Sequence, residues 1–196
     1  MRQTSIFDPT AGVPPGRLPE GLSYTTDFIT PAEEAALLAT FRTLPFKEAK
    51  YQQYTARRRT VNYGAGYDFS HKHTIAAPPL PDFLRPLIEQ AAAWAQLPAN
   101  AFIQALLAEY QPGTPLGWHR DVPDYELIFG LSLAGPGRIR FRPYPWEPER
   151  KKEMFAIELE PRSAYILRGP ARWQWQHHVP PAKVLRYSIT LRTQRQ

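Results

Sequence analysis

The chain has 196 residues, of which 43% are hydrophobic and 21% charged, and it contains no cysteine. This length allows one domain with a substantial core, and the lack of cysteine excludes disulfides, thiolate metal ligands and a cysteine nucleophile. No apolar run approaches the roughly 18 residues of a membrane span, and residues 1–4 lack the apolar core of a signal peptide, so we expect a cytoplasmic monomer without a membrane partner. The net charge of +6 suits a polyanion such as nucleic acid without identifying one.

The first part of the chain predicts an irregular arm, a short strand and two helices. Prolines and glycines in residues 1–20 favour an extended lead-in, and residues 21–28 alternate loosely like a strand. Thr30, Pro31 and Glu33 have the spacing of a helix N-terminus with a capping box, and Pro45 is expected to end that helix. Apolar residues at helical spacing predict a second helix over residues 81–97, with its apolar face in the core.

The segment between these helices has two interpretations. Three consecutive cations, Arg57 to Arg59, precede a stretch rich in tyrosine and glycine that includes Tyr63 and Tyr67. One interpretation is a solvated run of charges beside a hairpin. The other is a lid that binds phosphates through the arginines and stacks a base on a tyrosine. His71 and His73 also lie in this segment and are expected to be surface histidines.

From residue 101 onward the pattern changes to short strands and turns, which the 22 prolines also favour. The two strands 155–159 and 164–167 are predicted to form a hairpin around residues 161–163. The other strands are predicted over residues 102–110, 127–133, 139–142 and 187–191, with residues 118–121 following a turn. Two helices followed by about seven or eight strands predict an α+β protein whose β half is a sandwich or jelly roll.

A metal site is suggested by the triplet His119-Arg120-Asp121. Residues two positions apart on a strand face the same way, so the histidine and the carboxylate lie side by side. Together they supply two of the three ligands that hold non-haem Fe(II) in its facial triad. The triplet alone is a weak signal, and the third ligand has two downstream candidates, His177 and His178.

The last predicted strand carries polar residues on one face. Alternation places Arg186, Ser188, Thr190 and Arg192 together on that face. Arginines that face the interior of a small barrel require an anion, and the planar guanidinium binds a carboxylate through two hydrogen bonds. The competing interpretation is an outer sheet face whose arginines are solvated.

With these motifs, the sequence resembles the AlkB family of Fe(II)- and 2-oxoglutarate-dependent dioxygenases over residues 55–193. The resemblance rests on residues 109–113, 118–121, 175–180 and 186–192, and their joint pattern is more specific than any one of them. It implies a single domain over residues 1–196, with an irregular arm over 1–20 and a jelly-roll (double-stranded β-helix) core over about 101–193. It also implies flanking N-terminal helices and a nucleotide-recognition lid over about 46–73.

The resemblance also implies roles for individual residues. His119, Asp121 and His177 match the iron ligands, and His177 is favoured over His178 because Trp175 and Val179 reproduce the family's surrounding pattern. Four further positions match residues that bind 2-oxoglutarate: Tyr110, Arg186, Ser188 and Arg192. The residues expected to contact substrate are Arg57, Arg58, Arg59, Tyr63, Tyr67 and Trp118.

Two positions depart from the family pattern. Ala108 stands where the best-known member has an asparagine that contacts the co-substrate. Pro123 stands where that member has an acid that helps to handle the damaged base. The second departure leaves the substrate open even if the chain is an oxygenase.

The activity that the resemblance implies is oxidative dealkylation of alkylated bases in DNA or RNA, with single strands as the expected substrate. In that reaction Fe(II) would serve as the cofactor, and 2-oxoglutarate and O2 would be consumed. The products would be formaldehyde, succinate and CO2. Two alternatives remain at this point. One is an oxygenase that acts on a protein or a tRNA, and the other is a jelly-roll binding module without turnover.

Overall fold

The computed structural model describes the backbone of residues 18–51, 54–68 and 73–196, and the side chains of residues 18–48, 58–64 and 77–196. The predicted arm, apart from residues 18–20, lies outside these ranges. The described helices are α1 (Pro31–Phe41), α2 (Arg85–Ala95) and α3 (Gly169–Trp173), with 3-10 turns at Asp82–Leu84, Ala99–Ala101 and Pro148–Glu153. The described strands are β1 (Leu22–Thr25), β2 (Lys47–Tyr51), β3 (Tyr54–Tyr63), β4 (Ala65–Asp68), β5 (His73–Ala76), β6 (Phe102–Tyr110), β7 (Leu116–His119), β8 (Tyr125–Leu133), β9 (Gly137–Pro143), β10 (Phe155–Leu159), β11 (Ala164–Leu167), β12 (Trp175–Val179) and β13 (Arg186–Gln194).

Two antiparallel sheets form the β half of the protein. The larger sheet has the strand order β1-β11-β8-β13-β6-β3-β2, the smaller has the order β10-β9-β12-β7, and β4 pairs separately with β5. Strands that are distant in sequence are neighbours in both sheets, as the crossovers of a jelly roll require. The predicted α+β class with a jelly-roll core is confirmed.

The helices cover one face of the larger sheet. The predicted capping box of α1 is present, since the Glu33 amide donates to Thr30 Oγ1 at 3.2 Å and the Thr30 amide donates to Glu33 Oε2 at 2.7 Å. Side chains of α1 and α2 pack with alternate residues of β6, β8 and β13 in the main core. The opposite side chains of these strands therefore face the smaller sheet and are available to form a site between the two sheets. Among the described residues, no helix is both long enough and apolar enough to cross a membrane.

The predicted hairpin of residues 155–159 and 164–167 is wrong, although both strands exist. β10 pairs with β9 in the smaller sheet, whereas β11 pairs with β8 and β1 in the larger one. The chain passes from one sheet to the other between them, with Arg162 in the left-handed region at φ 69°. Side-chain alternation predicts a strand but does not determine which strand it pairs with. Two strands that follow each other in sequence were therefore predicted to pair as a hairpin.

The segment predicted as a lid is in part a component of the larger sheet. β2 and β3 form its edge, and β3 pairs with β6 so that Arg59 lies opposite Glu109. Arg57 to Arg59 are therefore strand residues, not part of a loop, and alternation points Arg58 and Arg59 to opposite faces. The side chains of Arg57, Tyr67, His71 and His73 lie outside the described residues.

Candidate metal centre

Three potential metal ligands converge where β7 and β12 pair. His119 and His177 are directly opposite each other in the antiparallel register, and their ring centres are 4.2 Å apart. Asp121 follows β7 and completes the group, in which the donor atoms of all three residues lie within 4.8 Å of one another. His177 Nε2 is 3.6 Å from Asp121 Oδ2. The structure thus brings together the three residues that match the AlkB ligand pattern.

Both histidines are prepared to coordinate a metal through a neutral ring. The Gly117 carbonyl lies 2.8 Å from His119 Nδ1, and because a carbonyl can only accept, Nδ1 carries the proton and Nε2 keeps its lone pair. Burial lowers the pKa of His119, and burial together with the nearby positive groups lowers the pKa of His177 to about 3. The His177–Asp121 contact is therefore not an ion pair at neutral pH.

Asp121 is held as a carboxylate by Arg192. Its Oδ1 accepts from Arg192 Nε at 2.9 Å and from Nη2 at 2.5 Å. Burial alone would raise the pKa of Asp121, but Arg192 reverses that effect and the pKa lies far below its usual value. Arg192 also donates to Gln104 Oε1 at 2.8 Å, and Gln104 in turn donates to Asn62 at 3.1 Å. This chain of contacts fixes the orientation of the carboxylate, as outer partners do for metal ligands in general.

Arg172 fixes the loop that carries Asp121. Its buried Nη2 donates to the carbonyl oxygens of Asp121, Val122 and Tyr125 at 3.1, 2.8 and 3.0 Å. One guanidinium group thus ties three carbonyl groups of the ligand loop to α3. Arg172 is a positioning residue because it acts on the backbone of the loop and not on the donor atoms.

We expect Arg172→Gln to weaken Mn(II) binding by about 10- to 100-fold, which is typical when a partner of a metal ligand is lost. The carbonyls left without a donor should also lower stability by about 1–3 kcal/mol each. Titration calorimetry and thermal unfolding measure the two effects. Arg120→Gln is the matched control, because the Arg120 guanidinium donates to the Trp173 carbonyl at 3.1 Å and lies over the Tyr144 ring, and among the described residues it has no hydrogen bond to the Asp121 loop. An unchanged metal affinity in Arg172→Gln would contradict the role assigned to the loop.

A cavity between the two sheets joins the metal centre to the polar face of β13. Arg186, Ser188, Thr190 and Arg192 all line it, so the interpretation of these residues as a solvated outer face is wrong. Arg186 is only 2% exposed, and its Nε donates to Ser132 Oγ at 3.0 Å. Its Nη1 is buried without a hydrogen-bond partner among the described residues. A buried cation with a free donor is arranged for an anionic ligand.

Tyr110 and Arg58 extend this polar part of the cavity. The Arg186 guanidinium lies 5.1 Å from the centre of the Tyr110 ring, and Arg58 Nη1 lies 3.5 Å from the Tyr110 hydroxyl. Burial would raise the pKa of Tyr110, but the charges of Arg58 and Arg186 outweigh it and the pKa is lowered. The positive potential around this hydroxyl therefore also favours a carboxylate.

Tyr165 lies in the same cavity as Ala108, the position where the family's asparagine is missing. The Tyr165 ring lies directly over Gly130, where a Cβ atom would be 2.3 Å from Tyr165 Cζ. Gly130 is thus required by this close approach, and Tyr165 contributes its bulk to the cavity wall.

The residues predicted to contact substrate do not form one cluster. Arg58 is buried and lines the cavity, whereas Arg59 Nη1 pairs with Glu109 at 2.8 Å on the opposite face of β3. Tyr63 packs edge-on against Phe83 on the helical side and is not among the residues that line the cavity. Trp118 stacks on His178, with ring centres 5.0 Å apart, on the face of the smaller sheet that points away from the metal centre.

Sequence reasoning missed several residues of the site, namely Arg58 as a cavity residue, Asn62, Gln104, Tyr165 and Arg172. A usable signal existed for Gln104, because it shares the alternation of Tyr110 on β6 and is polar on a face that otherwise carries Leu106, Ala108 and Tyr110. Arg172 and Tyr165 gave no such signal, since only the tertiary contacts show what they approach.

The donor set fits Fe(II) and 2-oxoglutarate. Two neutral histidines and one carboxylate leave positions open on a six-coordinate metal, which is the arrangement of non-haem Fe(II) oxygenases. The free donor of Arg186, with Tyr110 and Ser188 in the same cavity, suits the carboxylate of a dicarboxylic acid. The residues present therefore fit both groups.

Comparisons with known proteins agree with this geometry. The profile of the 2OG-Fe(II) oxygenase superfamily matches residues 21–192. The chain is 29% identical to the "Alkylated DNA repair protein ALKBH8 homolog" of Arabidopsis thaliana, over 92% of this chain and 55% of that protein. It is 24% identical to the "tRNA (carboxymethyluridine(34)-5-O)-methyltransferase alkbh8" of Xenopus tropicalis, over 85% of this chain and 26% of that protein. The chain thus spans about half and about a quarter of these two relatives.

The fold is also similar to that of solved structures. The structure of OsALKBH1 superposes with a TM-score of 0.76 at 14% identity, over 91% of this chain and 99% of that one. At this identity the likeness concerns the fold, which is that of the jelly-roll oxygenases. The profile match, together with the metal-ligand cluster, shows that the chain belongs to the 2OG-Fe(II) oxygenase superfamily, with AlkB proteins among its relatives, and that it is a dioxygenase using Fe(II), 2-oxoglutarate and O2.

Proposed function

We propose that this dioxygenase removes alkyl groups from bases of DNA or RNA, with a single strand as substrate. One observation carries the proposal: the His119–Asp121–His177 group shares a cavity with the buried, incompletely paired Arg186. A metal site and an anion site in one cavity allow an oxidant to form beside a bound co-substrate. The net charge of +6 and the family relationship support a nucleic acid as the second substrate.

When bound, iron and 2-oxoglutarate supply the oxidation: O2 and 2-oxoglutarate are converted to succinate and CO2, and one oxygen atom enters a C–H bond of the substrate. Where that bond belongs to an N-methyl group, the hydroxymethyl product loses formaldehyde and restores the base. The chemistry belongs to the cofactors, and the protein supplies geometry and a dry cavity.

The protein's residues bind and orient these groups. His119, Asp121 and His177 would hold the metal, with Arg192 keeping Asp121 ionised and turned inward. Arg186 would bind the distal carboxylate of 2-oxoglutarate, and Tyr110 and Ser188 would hydrogen-bond the same molecule. Apolar side chains of both sheets, such as Ile128 and Ile139, line the cavity and would limit the access of water.

A second candidate substrate is a modified base in tRNA. The observation that favours it is the match to the Xenopus protein, whose name describes a tRNA-modifying enzyme. The cavity residues would be the same in both cases, and the two candidates differ in the nucleic acid that delivers the base.

Succinate and formaldehyde release tests the proposal. The protein is supplied with Fe(II), ascorbate and 2-oxoglutarate, and a single strand containing 1-methyladenine is compared with the same unmethylated strand and with tRNA. We expect the methylated strand to stimulate succinate and to yield formaldehyde in equal amount, and His119→Ala to do neither. Stimulation by tRNA alone would favour the second candidate. Slow succinate formation that ignores every nucleic acid would refute both.

A further inference from the structure

The outer face of the smaller sheet carries an unusual set of side chains. Alternation along β9 and β12 points Ile139, Phe141 and His177 inward, where they are buried. The same alternation places the neighbouring residues on the outer face, together with Trp118 of the edge strand β7. We call this surface the outer face and define it by Trp118, Arg138, Arg140, Arg142, Gln176 and His178.

Planar groups are stacked on one another across the outer face. The Trp118 and His178 rings are 5.0 Å apart and inclined by only 25°. The Arg142 guanidinium lies 4.5 Å from the centre of the Trp118 ring and 5.3 Å from that of Trp146. These rings and the guanidinium form a partly exposed platform of the kind on which single-stranded bases stack.

The three arginines of β9 differ in their pairing. Arg138 lies opposite Glu158 in the register and donates to it at 2.6 Å. Arg142 donates to the neutral Gln176 at 2.7 Å. Arg140 is exposed, its strand neighbours are Ala156 and His178, and no carboxylate pairs with it in the part of the chain whose side chains are described. The outer face thus has two cations, Arg140 and Arg142, that no carboxylate neutralises.

We propose that the outer face binds the stretch of single-stranded polynucleotide that flanks the base in the cavity, an inference that rests on the proposed function. Arg140 and Arg142 would contact phosphates, and the platform of Trp118, His178 and Trp146 would stack bases. A polynucleotide is the partner that presents both anions and flat rings in a regular repeat, whereas an acidic peptide would use only the cations.

The position of the outer face suits this occupant. Trp118 and His178 directly adjoin the metal-site residues His119 and His177 in the chain, but point to the opposite side of the sheet. β7 is the edge strand of the smaller sheet. A polynucleotide that leaves the cavity therefore reaches the platform by passing over this one sheet edge. The distance across the sheet from β7 to the arginines of β9 is two strand spacings, or about 10 Å.

Fluorescence anisotropy of the protein loaded with Mn(II) and 2-oxoglutarate tests the inference without turnover. Two labelled probes, of about 4 and about 15 nucleotides, each carry 1-methyladenine and bracket the length that a single-strand site covers. We expect Arg140→Gln to weaken binding of the long probe about tenfold and to reduce the salt slope by about 0.7, the value for one lost phosphate contact on a single strand. The short probe should bind unchanged.

Three further variants make the test specific. Arg42→Gln removes the same charge beside α1, on the helical side of the larger sheet, and should affect both probes little. The double variant Arg138→Gln/Glu158→Gln removes the neutral pair from the same face and should bind like the parent protein. Trp146→Ala should weaken only the long probe. Unfolding temperatures establish that each variant is folded.

Two results would overturn the inference: an equal effect of Arg140→Gln and Arg42→Gln on the long probe, or an equal effect of Arg140→Gln on both probes. Failure of both probes to bind the parent protein would overturn the inference together with the proposed function. Binding that depends on Arg140, with no stimulation of succinate by the same strand, would keep the outer face as a polynucleotide site and refute dealkylation.

Discussion

Replacing His177 with alanine is expected to abolish metal binding, whereas replacing its neighbour His178 is expected to leave metal binding intact. Both are histidines of β12, but His177 faces Asp121 and His119 in the cavity while His178 stacks on Trp118 outside it. Loss of a partner of a metal ligand typically costs 10- to 100-fold, so loss of a ligand itself should lower Mn(II) affinity by more than about a hundredfold. Succinate formation should disappear with it.

The fold should survive the change, because His177 is uncharged at neutral pH and its removal leaves no unpaired ion. Burial holds its pKa at about 3, in contrast to Asp121, whose loss would leave Arg192 buried without its carboxylate. Calorimetric titration with Mn(II) measures the metal affinity of each variant, and a thermal unfolding curve measures the stability of its fold. Metal affinity lost in His178→Ala and retained in His177→Ala would reverse the assignment.

Arg186→Met should have opposite effects on the free protein and on co-substrate binding. Truncating one partner of a buried charge pair costs about 2–5 kcal/mol, so we expect the affinity for 2-oxoglutarate to fall by at least about thirtyfold. In the free protein Arg186 is a buried cation that faces no carboxylate among the described residues, and burial lowers its pKa. Its replacement by an apolar side chain of similar size should therefore leave stability unchanged or raise it.

Thermal unfolding with and without 2-oxoglutarate, in the presence of Mn(II), measures both effects at once. A ligand at about 100 times its dissociation constant stabilises the folded state by about 2.7 kcal/mol, and with a thirtyfold weaker affinity that increment should fall to about 0.9 kcal/mol or less in Arg186→Met. Arg192→Met is the contrasting variant, because Arg192 is paired with Asp121 and its loss should destabilise the free protein. An undiminished 2-oxoglutarate increment in Arg186→Met would remove Arg186 from the anion site.

Much of this protein can be determined from its sequence, because the relevant signals are local. The capping box of α1 needs only Thr30 and Glu33, and it forms as predicted. The alternation of β13 places Arg186, Ser188, Thr190 and Arg192 on one face, and that face lines the cavity. The motifs around His119 and His177, taken with residues 109–113 and 186–192, indicate the resemblance to the AlkB family. Each of these signals depends on residues within a few positions of one another, where backbone geometry alone decides which side chains share a side.

The tertiary structure decided what depends on the choice of strand partner. It shows that β10 and β11 belong to different sheets. It also shows that Arg59 forms an ion pair with Glu109 and that Arg58 contacts the Tyr110 hydroxyl. It also showed that Arg172 ties down the Asp121 loop and that Trp118 belongs to the outer face. Strand pairing is set by contacts between residues far apart in sequence, and a pattern of alternation is compatible with many partners. The identity of the metal ligands could thus be read locally, whereas the residues that orient them, and those proposed to guide a polynucleotide to them, were visible only in the folded chain.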